Sequence, residues 1–441
     1  MGIYQIIIGI SLVVIISYFF NIISKKTNIP SVLMLIALGV LISIGLNISG
    51  HPIGNLSTQL GVLGNIGLIM IVLEASLDLK LEKSKTRLIL KSIAIALIGL
   101  ISVSLIIALV IEAFLGITFF NALIFATPLS IMSSAIIIPS VSGLSDEKKE
   151  FLIYEGTFSD IFGIMFFYFL LGNAGNTSVS SIGFDVFINI AVAIVFTVLA
   201  SYALIFVFQK IKTEIKLFLL IAVLTLIFAV GKLMHMPSIS LLMILVFGLI
   251  LNNRNLFFKK RLGKHIKEDV ISEITRDFKL LTFETAFVAR TFFFVVFGMT
   301  IVLSSLLSFK VWLMTILILV SIFGLRYLLL RAFNGKNIKP ELYIAPRGLI
   351  TILLFFAIPR KYLTVELEGG VLLLTILATS GIMAWALIKN AKEKKELEQE
   401  LLAKEKVESI SETETHIETE DIEISSIENL PSEDKDNNQE K

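Results

Sequence analysis

Runs of about 20 mostly apolar residues, the length at which a helix spans the hydrocarbon core of a bilayer, recur along this chain as far as Ile388. They predict an all-α membrane protein. Thirteen spans are expected, at 3–24, 30–46, 58–79, 87–113, 118–141, 149–172, 182–209, 214–234, 237–252, 279–303, 309–333, 341–359 and 366–388. Only the His235-Met236-Pro237 break separates the eighth from the ninth. The first run has no small-residue cleavage site behind it and only uncharged residues before it, which predicts a retained helix. Composition agrees: 56% of residues are hydrophobic and 17% charged, against about a quarter charged in soluble proteins, which excludes an ordinary water-soluble enzyme. The absence of Cys removes disulfides, thiolate metal sites and Cys nucleophiles together.

The formal net charge of +2 hides a segregation. Residues 389–441 hold 17 acidic side chains against 8 Lys, leaving 19 acidic against 30 basic in the first 388. With the N-terminus outside, the inner loops carry 22 Lys and Arg and the outer loops four, namely Lys232, Lys310, Arg360 and Lys361. The accumulation of positive charge on the inner side therefore predicts an outer N-terminus and an inner tail. Three parts follow: a membrane domain over 1–388, a charged helix over 389–408, and an acidic, disordered tail over 409–441. Between 253 and 278, Ile266, Val270, Ile271, Ile274 and Phe278 share one helical face opposite Lys267, Glu268, Glu273 and Arg276, predicting a helix lying on the inner leaflet.

An ionised side chain at the bilayer centre costs roughly 2.5–3.5 kcal/mol even on lenient scales, so each charge inside a span needs a reason. Glu74 and Asp78 lie near the inner end of span 3 and Glu112 near the outer end of span 4, where headgroup water suffices. Glu284 and Arg290 fall in span 10, Arg326 in span 11 and Arg347 in span 12. Span 6 stands apart, with Glu155, Gly156, Thr157, Phe158, Ser159 and Asp160 in succession. Five helical positions separate Glu155 from Asp160 by about 7.5 Å and 140°, so the two carboxylates serve different neighbours. Oxygen donors such as Asp160, Ser159 and Thr157 suit a hard monovalent cation, and a carboxylate removed from water also takes up a proton readily. One group that accepts either is the core of an exchanger.

Spans 5 and 12 are interrupted, the first at Ala126-Thr127-Pro128-Leu129-Ser130 and then Ser133-Ser134, the second at Ala345-Pro346-Arg347-Gly348. Broken helices expose carbonyls and helix ends that coordinate ions, and breaks in matching positions of two halves point to a transporter site. Spans 5 and 12 are seven apart, as are 6 and 13. An odd offset turns the second copy upside down, so spans 1–6 and 8–13 read as inverted repeats around a linking span 7.

These residues resemble the monovalent cation:proton antiporter superfamily, in particular its sodium/proton exchanger branch, over about residues 1–388. The resemblance is carried by Ile29-Pro30-Ser31-Val32-Leu33, by Leu73 to Asp78, by Glu155 to Asp160, by Phe292 to Met299 and by Pro346-Arg347-Gly348. It implies that Asp160 binds cation and proton alternately, that Glu155 and Arg347 form an ion pair joining spans 6 and 12, and that Thr127 in the span 5 crossover lends an oxygen. Arg290 is a second candidate partner for Glu155. Ser159 stands where the electroneutral branch has Asn and the electrogenic branch a second Asp. Span 5 lacks the family's Thr-Asp-Pro acid, and Gly156 replaces a Ser. Arg290 stands where electrogenic relatives have a Lys, and a guanidinium does not deprotonate in proteins. One proton per cation is the implied stoichiometry.

The expected function is Na⁺/H⁺ antiport across the inner membrane by alternating access, with spans 5, 6, 12 and 13 moving against a scaffold. The expected partners are Na⁺ or another monovalent cation at Asp160, H⁺, membrane lipid and a second copy of the chain, without nucleic acid or cofactor. The alternatives are K⁺/H⁺ exchange, uptake of a small organic anion, and a non-transporting sensor signalling through the acidic tail. His51, His235, His265 and His416 lie in loops or the tail and make no metal or nucleophile constellation, so enzymatic activity is not expected.

Overall fold

The computed structural model describes residues 3–27, 29–50, 57–173, 195, 198–200, 202–204, 206–207, 216–233, 237–253, 256, 268–301, 303–359, 362 and 369–428. Helices are the regular structure among them: α1 (Ile3–Thr27), α2 (Ser31–Ile48), α3 (Ser57–Asp78), α4 (Thr86–Leu115), α5 (Phe119–Ser130), α6 (Ser134–Ser140), α7 (Asp146–Asn173), α8 (Lys216–Leu233), α9 (Pro237–Asn252), α10 (Glu268–Thr300), α11 (Phe309–Asn334), α12 (Leu349–Phe356) and α13 (Gly369–Glu428). Short 3₁₀ turns lie at Lys83–Lys85, Leu303–Leu307 and Glu341–Tyr343. Among the described residues, eight helical segments are long and apolar enough to cross a membrane, and Leu217–Gly231 and Ser240–Asn252 are shorter apolar helices. α7 is not among the eight, because Glu155, Ser159 and Asp160 interrupt its apolar run.

Local chemistry sets several of the ends. Pro30 is held in an extended conformation and its carbonyl accepts the N–H of Leu33, closing the first turn of α2. α4 stops at Gly116, whose φ of +64° lets its N–H reach the Glu112 carbonyl at 2.8 Å. Asn253 pins the chain leaving α3: its Nδ2 donates to the Leu79 carbonyl at 2.7 Å and its Oδ1 accepts the Leu81 N–H at 2.6 Å.

The chain divides into two compact units, Met1–Leu387 and Ile388–Lys441. In the first, α5 and α7 pack on α4, α11 lies against α4, α2 runs along α10, and α3 contacts both α9 and α10. The interior is aliphatic and aromatic, with Phe125, Phe167, Phe247, Phe278, Phe293 and Phe294 among the fully buried side chains. The α2–α10 contact depends on two glycines. A Cβ on Gly39 would overlap the Val295 carbonyl, and one on Gly298 would overlap the Ile36 carbonyl, so the two backbones touch.

The seventh expected span, 182–209, lies largely outside the described residues, and the other expected spans fall on described helices. The stretch expected to form a helix on the inner leaflet is described only in part. Ile266 and Lys267 lie outside the described residues, while positions from Glu268 onward form the start of the 33-residue helix α10. In the second unit, helix continues to Glu428, twenty residues past the expected end at 408, and carries Lys389–Glu393 and Lys392–Glu396 pairs one turn apart.

Candidate ion-binding site

The break in span 5 lies at Ile131–Ser133, between α5 and α6, within the expected stretch 126–134 but past Pro128, where the sequence predicts a break. Proline removes a donor from the helix ladder, yet α5 runs on to Ser130. The carbonyl that Pro128 leaves without an N–H is that of Ile124, while the Thr127 hydroxyl donates to the Leu123 carbonyl at 2.8 Å and the Ser130 hydroxyl to the Ala126 carbonyl at 2.9 Å. Thr127 is fully buried, and the hydrogen of its hydroxyl is committed to its own helix.

The second break comprises residues 344–348, ahead of α12. The two unwound segments meet: the Ser133 N–H donates to the Pro346 carbonyl at 2.9 Å. Gly348 is required there, since a Cβ would come within 2.5 Å of Ser133 Oγ and 2.8 Å of Ile136 Cδ1. Arg347 is buried at the same crossing. Its Nε donates to the Leu129 carbonyl at 2.7 Å, its Nη1 to the Ala345 carbonyl at 2.9 Å, and its backbone N–H to the Thr379 hydroxyl at 3.0 Å. A helix end leaves its last carbonyls without N–H partners and with partial negative charge. The Arg347 guanidinium supplies both the donor and the countercharge to α5.

α7 passes beside this crossing. The Ser159 hydroxyl oxygen accepts the Met132 N–H at 2.9 Å, and Asp160 Oδ2 accepts the Ser134 N–H at 3.0 Å. Asp160 is 3% exposed, and its other oxygen, Oδ1, has no hydrogen-bond partner. Thr157 Oγ1 is buried and unpartnered as well. Thr157 and Asp160 are three residues apart and so lie about 60° apart around α7, on one face. Buried polar atoms are normally satisfied, so two open oxygens on one helix face mark a place for a ligand that accepts oxygen donation.

Glu155 faces elsewhere, as the five-residue spacing requires. Its carboxylate receives Nη1 of Arg326 at 2.6 Å and Nη2 at 3.0 Å, both residues being buried. This corrects the expected pairing with Arg347, whose contacts are the carbonyls of the crossing. Glu155, Ser159, Arg326 and Arg347 nevertheless line one cavity of about 40 Å³, so they form one polar cluster. Arg290 is also not the partner of Glu155: it bonds Glu74 Oε1 at 3.1 Å, while Asp78 pairs with Lys279 at 2.7 Å. Glu74, Asp78, Glu284 and Arg290 line a vestibule of about 540 Å³ that extends to Ser134, the residue whose N–H holds Asp160.

Sequence reasoning placed Arg326 inside a span without giving it a role. The signal was its burial in an apolar helix, which demands a carboxylate. The backbone donors Met132 and Ser134 had no side-chain signal at all.

The profile described as sodium/hydrogen exchanger, transmembrane, matches residues 10–389. The chain belongs to the sodium/hydrogen exchanger family. Its fold is shared with a solved structure: the sodium proton antiporter MjNhaP1 from Methanocaldococcus jannaschii at pH 8 superposes with a TM-score of 0.63 at 22% identity, covering 89% of this chain and 100% of that one. An electron-microscopy structure of the same antiporter gives a TM-score of 0.62 at 22% identity over 91% of this chain and 99% of that one. No curated protein matches the sequence. As a family of transporters with several apolar helices, these exchangers are multi-pass membrane proteins, and this chain shares that character.

Proposed function

We propose that the protein exchanges Na⁺ for H⁺ across the inner membrane with one proton per cation, using Asp160 as the alternating ligand. The observation that carries this reading is the open Oδ1 of Asp160, buried at the crossing of two broken helices and adjoining the vestibule through Ser134. A cation or a proton on Oδ1 would satisfy the same lone pairs, so the two compete. Thr157 Oγ1 on the same face is a second oxygen for the cation. Ser159 serves the site through its hydrogen bond to Met132, holding the unwound segment against α7.

Charge accounting supports electroneutrality. Glu155 and Arg326 cancel, and Arg347 keeps its charge against helix carbonyls. With Asp160 loaded by Na⁺ or by H⁺, the buried cluster carries the same net charge, so the moving step senses no difference between its two cargoes. Alternating access follows when the helices around the crossing shift against α2, α3 and α10, opening the far side as the vestibule closes. The matching breaks in spans 5 and 12 favour inverted repeats, the loop charges favour an outer N-terminus, and the family membership favours a lipid-embedded homodimer.

The test is Na⁺-driven proton movement in proteoliposomes containing the purified protein, across Li⁺, Na⁺, K⁺ and Rb⁺. Asp160→Asn is expected to abolish exchange at unchanged folded yield, and retained exchange in that variant would refute the assignment. Potassium giving the largest response would reassign the cation.

A further inference from the structure

α7 is fastened at two places, once to the segment that follows α11 and once to α11 itself. Near its start, the Lys148 ammonium donates to Glu341 Oε2 at 3.1 Å, to Asn337 Oδ1 at 3.1 Å and to the Lys339 carbonyl. Seven residues further along, within about 20° of the same face and about 10.5 Å along the axis, Glu155 receives both terminal nitrogens of Arg326. Glu341 links the two places. Its carboxylate, 4% exposed, is held by Lys148, and its backbone carbonyl accepts Nε of Arg326 at 2.9 Å. Lys148, Glu341, Arg326 and Glu155 thus make a ring whose last side is α7 itself.

The ring contains a competition. Arg326 is anchored to the backbone carbonyl of Glu341, which puts a second acidic residue beside the guanidinium that Glu155 needs. An uncompensated buried charge is far costlier than a paired one, so a Glu341 without its ammonium would draw the nearest cation. We infer that Lys148 is a positioning residue for the exchange site: by occupying the Glu341 carboxylate it leaves Arg326 to Glu155, and so holds the turn of α7 that presents Ser159 and Asp160. This rests on the assignment of Asp160 made above. Lys148 touches no transported ion and acts through three intervening side chains.

The experiment compares Lys148→Met, Lys148→Arg and the double variant Lys148→Met/Glu341→Gln in proteoliposomes, with thermal unfolding of the same purified proteins. Lys148→Met should raise the KM for Na⁺ about three- to tenfold with the saturating rate per folded protein unchanged, while Lys148→Arg, which keeps the charge, should retain the native KM. In the double variant the Gln keeps the backbone carbonyl for Arg326 and removes the competing charge, so KM should return to within about twofold of the native value. An unaltered KM in Lys148→Met, or an equally raised KM in the double variant, would overturn the inference in favour of a purely structural brace. The unfolding data separate this from failure of the transport reading. Lys148→Met and Arg326→Gln should be non-additive in melting temperature even if the native protein moves no cation, and additive losses would remove the ring.

Discussion

The N–H of Ser133 and the carbonyl of Pro346 are joined at 2.9 Å, so two unwound segments some 200 residues apart in the chain share one backbone hydrogen bond. At that point neither helix satisfies itself, and each supplies what the other lacks. The expected consequences for variants follow from how little room and how few spare donors the crossing has.

Gly348→Ala should separate the segments. Its methyl would lie 2.5 Å from Ser133 Oγ and 2.9 Å from Ser133 Cβ, closer than packed atoms tolerate. A loss of about 1–3 kcal/mol is expected, with transport reduced in parallel. Ser133→Gly on the same chain removes two of the three close contacts, leaving only the flexible Ile136 Cδ1 at 2.8 Å, and should recover part of the melting temperature and rate together. Failure of that rescue would show that Gly348 matters for another reason.

Breaking the Glu155–Arg326 pair on one side should be severe. Glu155→Gln or Arg326→Met leaves one buried charge uncompensated, at a cost of about 3–5 kcal/mol, whereas Glu155→Leu with Arg326→Met should recover much of it. Thermal unfolding in detergent checks this. Equal losses in the single and paired variants would mean that the ion pair itself, not the orphaned charge, sustains the fold.

Thr127→Val and Thr157→Val should behave oppositely. The Thr127 hydroxyl is bonded to Leu123 within α5, so its loss is expected to change the KM for Na⁺ by less than about twofold. Thr157 Oγ1 is open beside Asp160, and its loss should raise KM several-fold. Parallel initial-rate curves on the two variants decide the matter, and the reverse ranking would restore Thr127 as an ion ligand.

Proton and cation competing for Asp160 have a definite pH signature. As pH falls, a larger share of Asp160 holds a proton, so apparent KM for Na⁺ rises toward a tenfold increase per pH unit while the saturating rate stays constant. Clamping the membrane potential with a potassium ionophore should leave the rate unchanged. A saturating rate that falls with pH, or a rate that follows the potential, would point to a second titrating group in the cycle.

The all-helical character could be read from the sequence because membrane insertion writes itself in runs of apolar residues. The burial of Asp160 could be read for the same reason, since it is a lone carboxylate among Phe158, Phe162 and Phe166 in an apolar run. Pairing was harder. Arg290, Arg326 and Arg347 are three guanidiniums in three spans, and spacing along the chain cannot say which of them reaches Glu155, since that depends on how helices α7, α11 and the segment 344–348 are rotated toward one another. The break in span 5 misled for a local reason. Pro128 is the obvious interruption and frees the Ile124 carbonyl, yet α5 continues through it and the chain unwinds only at Ile131. Contributions from backbone N–H groups, as at Ser134, leave no trace in residue identity.

The bare contact between Gly39 and Gly298 has a mechanical meaning. Where side chains meet, a helix pair slides by exchanging rotamers, and a few tenths of an ångström can be absorbed at each step. Here a carbonyl lies directly against a Cα on either side. Such a joint has no bearing surface. If the helices at the crossing move as proposed, α2 and α10 should move as one body, a keel against which the others lever.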